Sequence, residues 1–313
     1  MGIENKIEEN IVLAPFTTFK IGGAAKFFLK AKTDEELSEA VDWARKAKED
    51  VYILGGGSNI LINDAGVAGL VVKMDNSEAE VKGERLECGA GTLLSGAVIL
   101  ASGHDLTGLE WAIGIPGTVG GAVVGNAGAF GHSFSEAVEW VEVFNLKKKK
   151  LMKFSRNDCR FGYRESVFKE DRSLAVWKVG LKLAAATAGT KSVMEEFISR
   201  RTNSHPNLPS AGSIFKNVKF QDLAGANPEA AARAEEEGIV KNGLVAAGWL
   251  IGSLDLKGKI IGGAKVSLEH ANFIVNTGKA TAEDVITLIS YIKQQVRDIS
   301  NIQLQEEIQY LGF

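Results

Sequence analysis

Residues 114–129 read Gly-Ile-Pro-Gly-Thr-Val-Gly-Gly-Ala-Val-Val-Gly-Asn-Ala-Gly-Ala, and seven of these sixteen residues are glycine or proline. Because each glycine weakens a helix or a strand, the run predicts a loop without regular secondary structure. Its apolar composition argues against a solvated linker. We therefore expect a buried loop whose backbone lies against a ligand, since N–H groups without side chains in front of them can hold a pyrophosphate.

A second glycine loop, Gly55-Gly56-Gly57-Ser58-Asn59, directly follows the apolar run Val51-Tyr52-Ile53-Leu54. Two such loops in one chain indicate a long cofactor that is held at two points. A tight turn remains the alternative explanation for either loop taken alone. The GxGxxG fingerprint and the Walker lysine are both absent, which argues against a doubly wound nucleotide-binding fold.

The composition is that of an ordinary globular protein: 313 residues, 45% hydrophobic and 24% charged. A net charge of −3 provides no basic field for nucleic acid. Two cysteines, Cys88 and Cys159, are too few for a disulfide framework, and the four histidines lack paired ligand spacing, so we expect no metal. The polar N-terminus and the short apolar runs predict no signal peptide, no membrane insertion and a cytoplasmic location.

Local patterns predict a mixture of helices and strands. Thr33-Asp34-Glu35-Glu36 is a capping box, Asn227-Pro228 opens a helix that Gly238 closes, and Thr281 caps an amphipathic helix. Strands are expected at residues 51–54, 138–144, 174–184, 260–266 and 302–311. The block Lys147–Lys150 lies between two strand-like segments, which favours a solvated hairpin turn over a binding patch.

Motifs in order along nearly the whole chain carry a resemblance to one family. They are residues 18–23, 54–59, 113–122, 161–166 (Phe-Gly-Tyr-Arg-Glu-Ser), 210–217 (Ser-Ala-Gly-Ser-Ile-Phe-Lys-Asn), 247–251, 261–267, 270–276 and 304–308. This set resembles the UDP-N-acetylenolpyruvylglucosamine reductases (MurB). The glycine motifs alone indicate only the wider vanillyl-alcohol-oxidase-like flavoprotein superfamily. The Tyr-Arg, Gly-Ser-Ile-Phe-Lys-Asn and C-terminal Glu motifs narrow the resemblance to the reductase.

The resemblance implies an α+β fold. A two-subdomain PCMH-type FAD-binding domain would span residues 1–203, with a subdomain boundary near 75, and a smaller C-terminal α+β substrate domain would span 204–300. The tail, 301–313, would return to the first domain. Between Arg164 and Ser213 there is little room for the tyrosine loop of type I members, which points to type II. Residues 218–243 are longer than the usual link, and their role stays open.

The resemblance also implies a set of ligands. FAD would bind noncovalently, NADPH would be the co-substrate, UDP-N-acetylglucosamine-enolpyruvate would be the substrate, and we expect a monomer. The implied flavin contacts are Leu54, Gly55, Gly56, Gly57, Ser58, Asn59, Ile115, Pro116, Gly117, Thr118, Gly120, Gly121 and Ala122. The implied substrate contacts are Tyr163, Arg201, Lys216, Asn217 and His270.

The family reaction reduces an enolpyruvyl ether to a lactyl ether, giving UDP-N-acetylmuramate for peptidoglycan synthesis. Such a reaction needs a cation near the substrate carboxylate and a proton donor for C2. By resemblance these are Arg164 and Ser213, with Glu307 polarising the carboxylate. Neighbouring strand residues face opposite sides, so only one of Glu306 and Glu307 enters the cleft, and the motif favours Glu307. The ordinary alternatives are a surface ion pair, a loop serine and a solvated acid.

Two other functions remain open on the residues alone. A related FAD-dependent alcohol or hydroxy-acid oxidase or dehydrogenase would share the glycine loops but would not need Ser213, and an alcohol would reduce its flavin. A non-catalytic UDP-sugar-binding protein that kept the fold would contain no flavin.

Overall fold

A computed structural model describes residues 2–186 and 190–313 of the chain. These residues form two compact units. Unit 1 contains residues 2–11, 25–56, 67–186 and 190–203, and unit 2 contains residues 12–24, 57–66 and 204–313. Each unit has its own apolar core. Unit 2 thus includes two short segments of the N-terminal region as well as the tail. The assignment of a flavin domain and a substrate domain to particular ranges stays a prediction.

The helices and strands are as follows. The helices are α1 (Asp34–Ala47), α2 (Leu94–Gly103), α3 (Val119–Val124), α4 (Val167–Glu170), α5 (Thr190–Ser204), α6 (Phe220–Ala226), α7 (Pro228–Glu236), α8 (Ala247–Gly252) and α9 (Ala282–Ser300). The strands are β1 (Glu8–Val12), β2 (Ala24–Ala31), β3 (Val51–Leu54), β4 (Ile60–Ile62), β5 (Val67–Met74), β6 (Ala79–Lys82), β7 (Arg85–Gly89), β8 (Leu106–Thr107), β9 (Gly128–Ala129), β10 (His132–Ser133), β11 (Val138–Asn145), β12 (Lys150–Ser155), β13 (Leu174–Lys182), β14 (Ala184–Ala185), β15 (Ser210–Ser213), β16 (Val218–Lys219), β17 (Leu244–Val245), β18 (Ile260–Ile261), β19 (Ala264–Val266), β20 (Phe273–Asn276) and β21 (Gln309–Leu311).

Unit 1 is built on two larger sheets. The first has the order β1-β2-β5-β3, in which β5 runs parallel to both β2 and β3. The second has the antiparallel order β12-β11-β13-β7-β6. Helix α1 buries Leu37, Ala40, Val41 and Ala44 in the core of this unit, which α2 and α3 share. This burial matches the helical spacing of those residues in the sequence.

The local signals in unit 1 are confirmed. The Thr33 side chain accepts a hydrogen bond from the Glu36 N–H, and the Glu36 carboxylate accepts one from the Thr33 N–H, which completes the capping box of α1. The lysine block forms the turn of the β11–β12 hairpin, which closes at the pair Asn145–Lys150. Cys88 and Cys159 are free and buried, and burial raises the pKa of each thiol to about 12.

Unit 2 contains the sheet β15-β20-β19-β18 and two small pairs, β16–β17 and β4–β21. Helix α9 covers this core with a buried face of Val285, Leu288, Ile289, Ile292 and Val296. It begins with a capping box in which the Thr281 side chain accepts from the Asp284 N–H. The predicted cap of α7 is also present, because the Asn227 side chain accepts from the Ala230 N–H. In the described parts of the chain, no helix combines the length and apolarity needed to cross a bilayer.

The prediction that residues 114–129 lack regular structure is wrong in part, because α3 lies within them. The Thr118 side chain caps this helix by accepting from the Gly121 N–H, and Val119, Ala122 and Val123 are buried in the core. A glycine costs a helix about 1 kcal/mol relative to alanine. Burial of the three apolar side chains outweighs that cost, so tertiary packing overrides the local propensity.

Two strand predictions were also too long. Residues 260–266 form a tight hairpin of β18 and β19, since Gly262 has a φ of +54° and turns the chain. In the tail only Gln309–Leu311 is a strand, paired in parallel with β4. Ile302 and Leu304 are nevertheless buried. The alternation of apolar and polar residues therefore predicted the buried side chains correctly, although residues 302–308 are not a hydrogen-bonded strand.

Candidate active site

The two glycine loops meet in unit 1. Gly55 and Gly56 follow β3, and a Cβ on Gly56 would lie 2.5 Å from the Cα of Gly117. A Cβ on Gly55 would lie 3.0 Å from the Thr118 Oγ1. Real Cβ atoms do not approach a backbone as closely as 2.5 Å, so the loops touch only because no side chain separates them. Glycine at position 56 is thus needed for the close contact between the two loops.

The same loops present donors for an anion. The N–H groups of Gly55, Gly56 and Gly117 have no acceptor among the residues that the structure describes. Gly121 is exposed in the first turn of α3, and a Cβ added to it would lie 3.6 Å from the Thr118 Oγ1. Bare N–H groups at converging glycine turns favour a phosphate. The residues present therefore fit the pyrophosphate of FAD.

The other predicted residues of the second loop differ in their surroundings. Pro116 is exposed and Ile115 is half-buried against the core. Ala122 is buried, and a Cβ on Gly120 would lie 2.7 Å from the Cβ of Ala90. Gly120 is therefore required by packing against its own unit.

The rest of the first loop belongs to unit 2. Gly57 has a φ of +64°, and a Cβ there would lie 2.1 Å from the Phe16 carbonyl oxygen. The Asn59 side-chain amide donates to the Glu307 carbonyl at 3.3 Å, and the Asn59 carbonyl accepts from the Gln309 N–H at 3.0 Å. Asn59 thus fixes the C-terminal segment at Glu307. Ser58 is half-buried beside it in the chain.

Arg164 lies in a strained turn of unit 1. Gly162 and Glu165 exchange backbone hydrogen bonds at 3.0 and 3.2 Å, which leaves Tyr163 and Arg164 at the tip. Arg164 has a φ of +58°, a conformation that costs a residue with a side chain about 1–3 kcal/mol. Its Nη2 donates to the Gly128 carbonyl at 2.6 Å. The surrounding structure therefore fixes both the backbone and the guanidinium of Arg164.

Arg201, at the end of α5, is also held within unit 1. Its Nε donates to the Ile113 carbonyl at 2.9 Å, and its Nη2 donates to the Trp111 carbonyl at 3.1 Å. Burial lowers the pKa of the guanidinium to about 10. The resemblance implies that Arg201 contacts the substrate, whereas the contacts that the structure records are with the backbone ahead of the second glycine loop.

In unit 2, Ser213 lies at a bulge in β15. The pairing with β20 shifts between Ser210, opposite Val275, and Ser213, opposite Phe273. The intervening Gly212 has a φ of +76°. A bulge changes the direction of a side chain and is common beside active sites. The direction of the Ser213 side chain therefore depends on the bulge, and it does not follow from the regular alternation of side chains along a strand.

Glu307 lies on the backbone segment next to Ser213, since its N–H donates to the Ile214 carbonyl at 2.7 Å. Its neighbour Glu306 makes an ion pair with Lys293 at 2.6 Å and accepts from the Tyr310 hydroxyl at 2.6 Å. Burial opposes ionisation of Glu306, but these two partners outweigh it and lower its pKa. Glu306 is thus engaged within its own unit by Lys293 and Tyr310.

Three predicted substrate contacts also lie in unit 2. The Lys216 N–H donates to the Gln305 carbonyl at 2.8 Å. The Asn217 Oδ1 accepts from the Ala247 N–H at 3.2 Å, at the start of α8. The His270 ring lies 4.9 Å from the Phe273 ring, and burial lowers the pKa of His270. Ser213, Lys216 and Glu307 are therefore carried by adjoining backbone segments, whereas Asn217 supports a helix start.

The sequence reasoning missed two buried asparagines that position this region. The Asn272 side chain accepts from the Phe215 N–H at 2.9 Å and donates to the Phe215 carbonyl at 2.8 Å. The Asn276 side chain donates to the Phe19 carbonyl at 3.1 Å and accepts from the Gly278 N–H at 2.8 Å. Both belong to the motif at residues 270–276. The signal that could have found them is an amide side chain at each end of the apolar run 273–275.

No group of three or more His, Cys, Asp or Glu side chains in the described residues could hold a metal ion. The chemistry that these residues offer is instead a guanidinium on a rigid turn, a hydroxyl on a bulge and a neighbouring carboxylate. Such groups bind a carboxylate, hold a proton and stabilise a developing negative charge.

Comparisons with known proteins identify the family of the chain. Residues 25–154 match a family model described as an FAD binding domain, and residues 204–311 match the C-terminal domain of UDP-N-acetylenolpyruvoylglucosamine reductase. The protein of that name from Solibacter usitatus is 36% identical over 99% of both chains. The one from Caldanaerobacter subterraneus is 36% identical over 99% of this chain and 95% of its own length.

A solved structure agrees as well. The crystal structure of UDP-N-acetylenolpyruvylglucosamine reductase (MurB) from Thermus caldophilus is 33% identical, with a TM-score of 0.77 over 97% of this chain and 98% of its own. The expected α+β fold, with an FAD-binding domain and a C-terminal domain of this kind, is confirmed. The chain belongs to the UDP-N-acetylenolpyruvoylglucosamine reductase family of FAD-dependent oxidoreductases.

Proposed function

We propose that this protein reduces UDP-N-acetylglucosamine-enolpyruvate to UDP-N-acetylmuramate, with NADPH as the reductant, in the cytoplasmic synthesis of peptidoglycan precursors. Full-length similarity to the family supports the reaction, and it favours the reductase over an alcohol oxidase or a non-catalytic UDP-sugar-binding protein. FAD, when bound, supplies the hydride that C3 of the enolpyruvyl group receives. By supplying cell-wall precursors the enzyme would serve cell shape and cell division. We expect it to act as a monomer of the type II class.

The observation that carries the catalytic proposal is the bulge at Ser213, which lies beside Glu307. Hydride addition at C3 leaves negative charge at C2 and in the adjoining carboxylate. A serine hydroxyl has a high pKa and donates a proton only to a strongly basic atom, and an enolate carbon is such an atom. We assign to Ser213 the protonation of C2. A hydroxyl whose direction is fixed by the bulge would deliver that proton to one face.

The carboxylate of the substrate needs a cation, for which we propose Arg164. A guanidinium stays charged and can bind a carboxylate through two parallel N–H donors. The positive φ of Arg164 supports this role, because strained residues persist where function requires their geometry. The Nη2 contact with the Gly128 carbonyl would orient the guanidinium before the substrate arrives.

Glu307 is the proposed second group at the carboxylate, where it would polarise the developing enolate. The bond from the Glu307 N–H to the Ile214 carbonyl, which joins Glu307 to the segment that carries Ser213, supports this choice. Tyr163, Lys216, Asn217 and His270 remain proposed contacts to the UDP-sugar. The glycine loops, with the N–H groups of Gly55 and Gly56, would hold the pyrophosphate of FAD.

Ser213→Ala tests the mechanism through its two half-reactions, followed by stopped-flow absorbance of the flavin. We expect reduction by NADPH to keep its wild-type rate. Reoxidation by the enolpyruvyl nucleotide should slow by about 10²–10⁴-fold, the usual contribution of a general acid. Ser210→Ala, on the same strand, is the matched control. The Thr18 hydroxyl donates to the backbone carbonyl of residue 210, and alanine keeps that carbonyl. Equal slowing of both half-reactions would contradict the proton-donor role.

A further inference from the structure

Arg201 bridges two backbone carbonyls on either side of Ala112. Its Nε–H donates to the Ile113 carbonyl at 2.9 Å and its Nη2–H to the Trp111 carbonyl at 3.1 Å. A planar guanidinium presents these donors in a fixed fork, so two bonds define the position of the peptide segment between them.

The bridged segment leads directly into the second glycine loop. Residues Glu110–Ala112 form a 3-10 turn, and the Ile115 N–H donates to the Ala112 carbonyl at 3.1 Å. Gly114 has a φ of +74°, and a Cβ on it would lie 3.1 Å from the Arg201 Cδ. The Arg201 side chain therefore packs against the turn from which the loop at 115–122 begins.

The charge of Arg201 is compensated in an unusual way. No described carboxylate forms an ion pair with it, and the Phe130 ring lies 5.0 Å from its Cζ. A half-buried cation held by carbonyl dipoles and an aromatic ring is suited to ordering backbone. The adjacent Arg200 also lies 6.0 Å from the Phe130 ring, but it is exposed and forms an ion pair with Glu196.

We propose that Arg201 is a positioning residue for the flavin loop and does not contact the substrate. Its guanidinium fixes the backbone at Trp111–Ile113, so that the loop at 115–122 is already ordered when the pyrophosphate of FAD binds. A loop that is ordered in advance loses less conformational entropy on binding, which raises affinity. The inference deepens the proposed function but rests only on flavin binding, and it is independent of the reductant and of the sugar substrate.

The test is the affinity of the full-length chain, stripped of flavin, for added FAD, measured by fluorescence titration. For Arg201→Gln we expect the dissociation constant to rise by about tenfold or more. Arg201→Lys keeps the charge but lacks the planar fork, so we expect an intermediate rise. Arg200→Gln removes the same charge one residue earlier and should stay within about twofold of the wild type.

Two further measurements separate this role from the alternatives. With FAD at saturation, the KM for the enolpyruvyl nucleotide should be unchanged in Arg201→Lys. A raised KM with unchanged FAD affinity would instead make Arg201 a substrate contact and overturn the proposal. Amide hydrogen exchange at residues 113–117 should be faster in Arg201→Lys than in Arg200→Gln, and equal rates would also overturn it.

The outcomes remain informative if Arg201→Gln does not fold, because Arg201→Lys carries both measurements. Failure of the proposed function is distinguishable as well. A chain that binds FAD but is not reduced by NADPH, or not reoxidised by the enolpyruvyl nucleotide, would refute the reaction and leave the loop proposal standing.

Discussion

Replacing Gly121 by alanine should stabilise the protein and weaken flavin binding at the same time. Gly121 lies in the first turn of α3 with its surface exposed, and its φ is not positive. The nearest atom to an added Cβ is the Thr118 Oγ1 at 3.6 Å, an ordinary contact distance. The folded chain therefore accepts the methyl group without strain.

The two effects have opposite signs and separate causes. A glycine-to-alanine change at a compatible helical position stabilises a protein by about 0.4–1 kcal/mol, because it restricts the unfolded chain. The same methyl group would stand where the loop backbone meets the pyrophosphate. A steric overlap between one methyl group and the bound pyrophosphate should weaken the binding free energy of FAD by about 1–3 kcal/mol. This corresponds to a rise of roughly 5- to 150-fold in the dissociation constant of FAD.

Urea denaturation of the flavin-free chain measures the first quantity, and fluorescence titration with FAD measures the second. Gly125→Ala is the matched control at the other end of α3, where an added Cβ also meets its nearest atom at 3.6 Å. We expect it to leave FAD affinity within about twofold. If Gly121→Ala binds FAD as tightly as Gly125→Ala, the exposed face of this loop does not carry the pyrophosphate and the reasoning fails.

Three other changes test the site and its supports. Arg164→Lys keeps the charge but loses the planar donor pair, so reoxidation by the enolpyruvyl nucleotide should slow at least about tenfold in stopped flow, and an unchanged rate would exclude a two-point contact. Asn272→Ala leaves the buried N–H and carbonyl of Phe215 without partners, so urea denaturation should show a loss of about 2 kcal/mol or more, and a loss below about 0.5 kcal/mol would contradict that role. Burial lowers the pKa of His270 below its ordinary 6.5, so the unfolded chain binds the proton more readily and stability is lost as pH falls below about 6.5. His270→Gln should flatten the dependence of the urea midpoint on pH, and a dependence as steep as that of the wild type would be evidence against this linkage.

Local chemistry accounts for what the sequence predicted well. The caps at Thr33, Asn227 and Thr281 were found because a capping side chain bonds to an N–H only three residues away. The hairpin turn at Lys147–Lys150 is local as well, since the Asn145 side chain accepts from the Lys147 and Lys148 N–H groups. Where burial competed with propensity the predictions failed in part, as at α3, whose glycines are offset by buried Val119 and Val123.

The residues proposed to act in the site were also predicted only in part. The motifs placed Arg164, Ser213 and Glu307 in the chain, but not the strained turn or the bulge that orients them. Asn272 and Arg201 act through carbonyls and N–H groups of residues far away in sequence, and no local pattern encodes those partners.

The sequence by itself determined the family, the α+β class and the two glycine loops, because these depend on which residues stand a few positions apart. Only the tertiary structure decided that Gly56 meets Gly117, that Glu306 pairs with Lys293, and that Arg201 bonds to the Ile113 carbonyl. The physical reason is that each of these contacts joins residues brought together by the path of the backbone. That path depends on the packing of whole cores, which no short stretch of residues specifies.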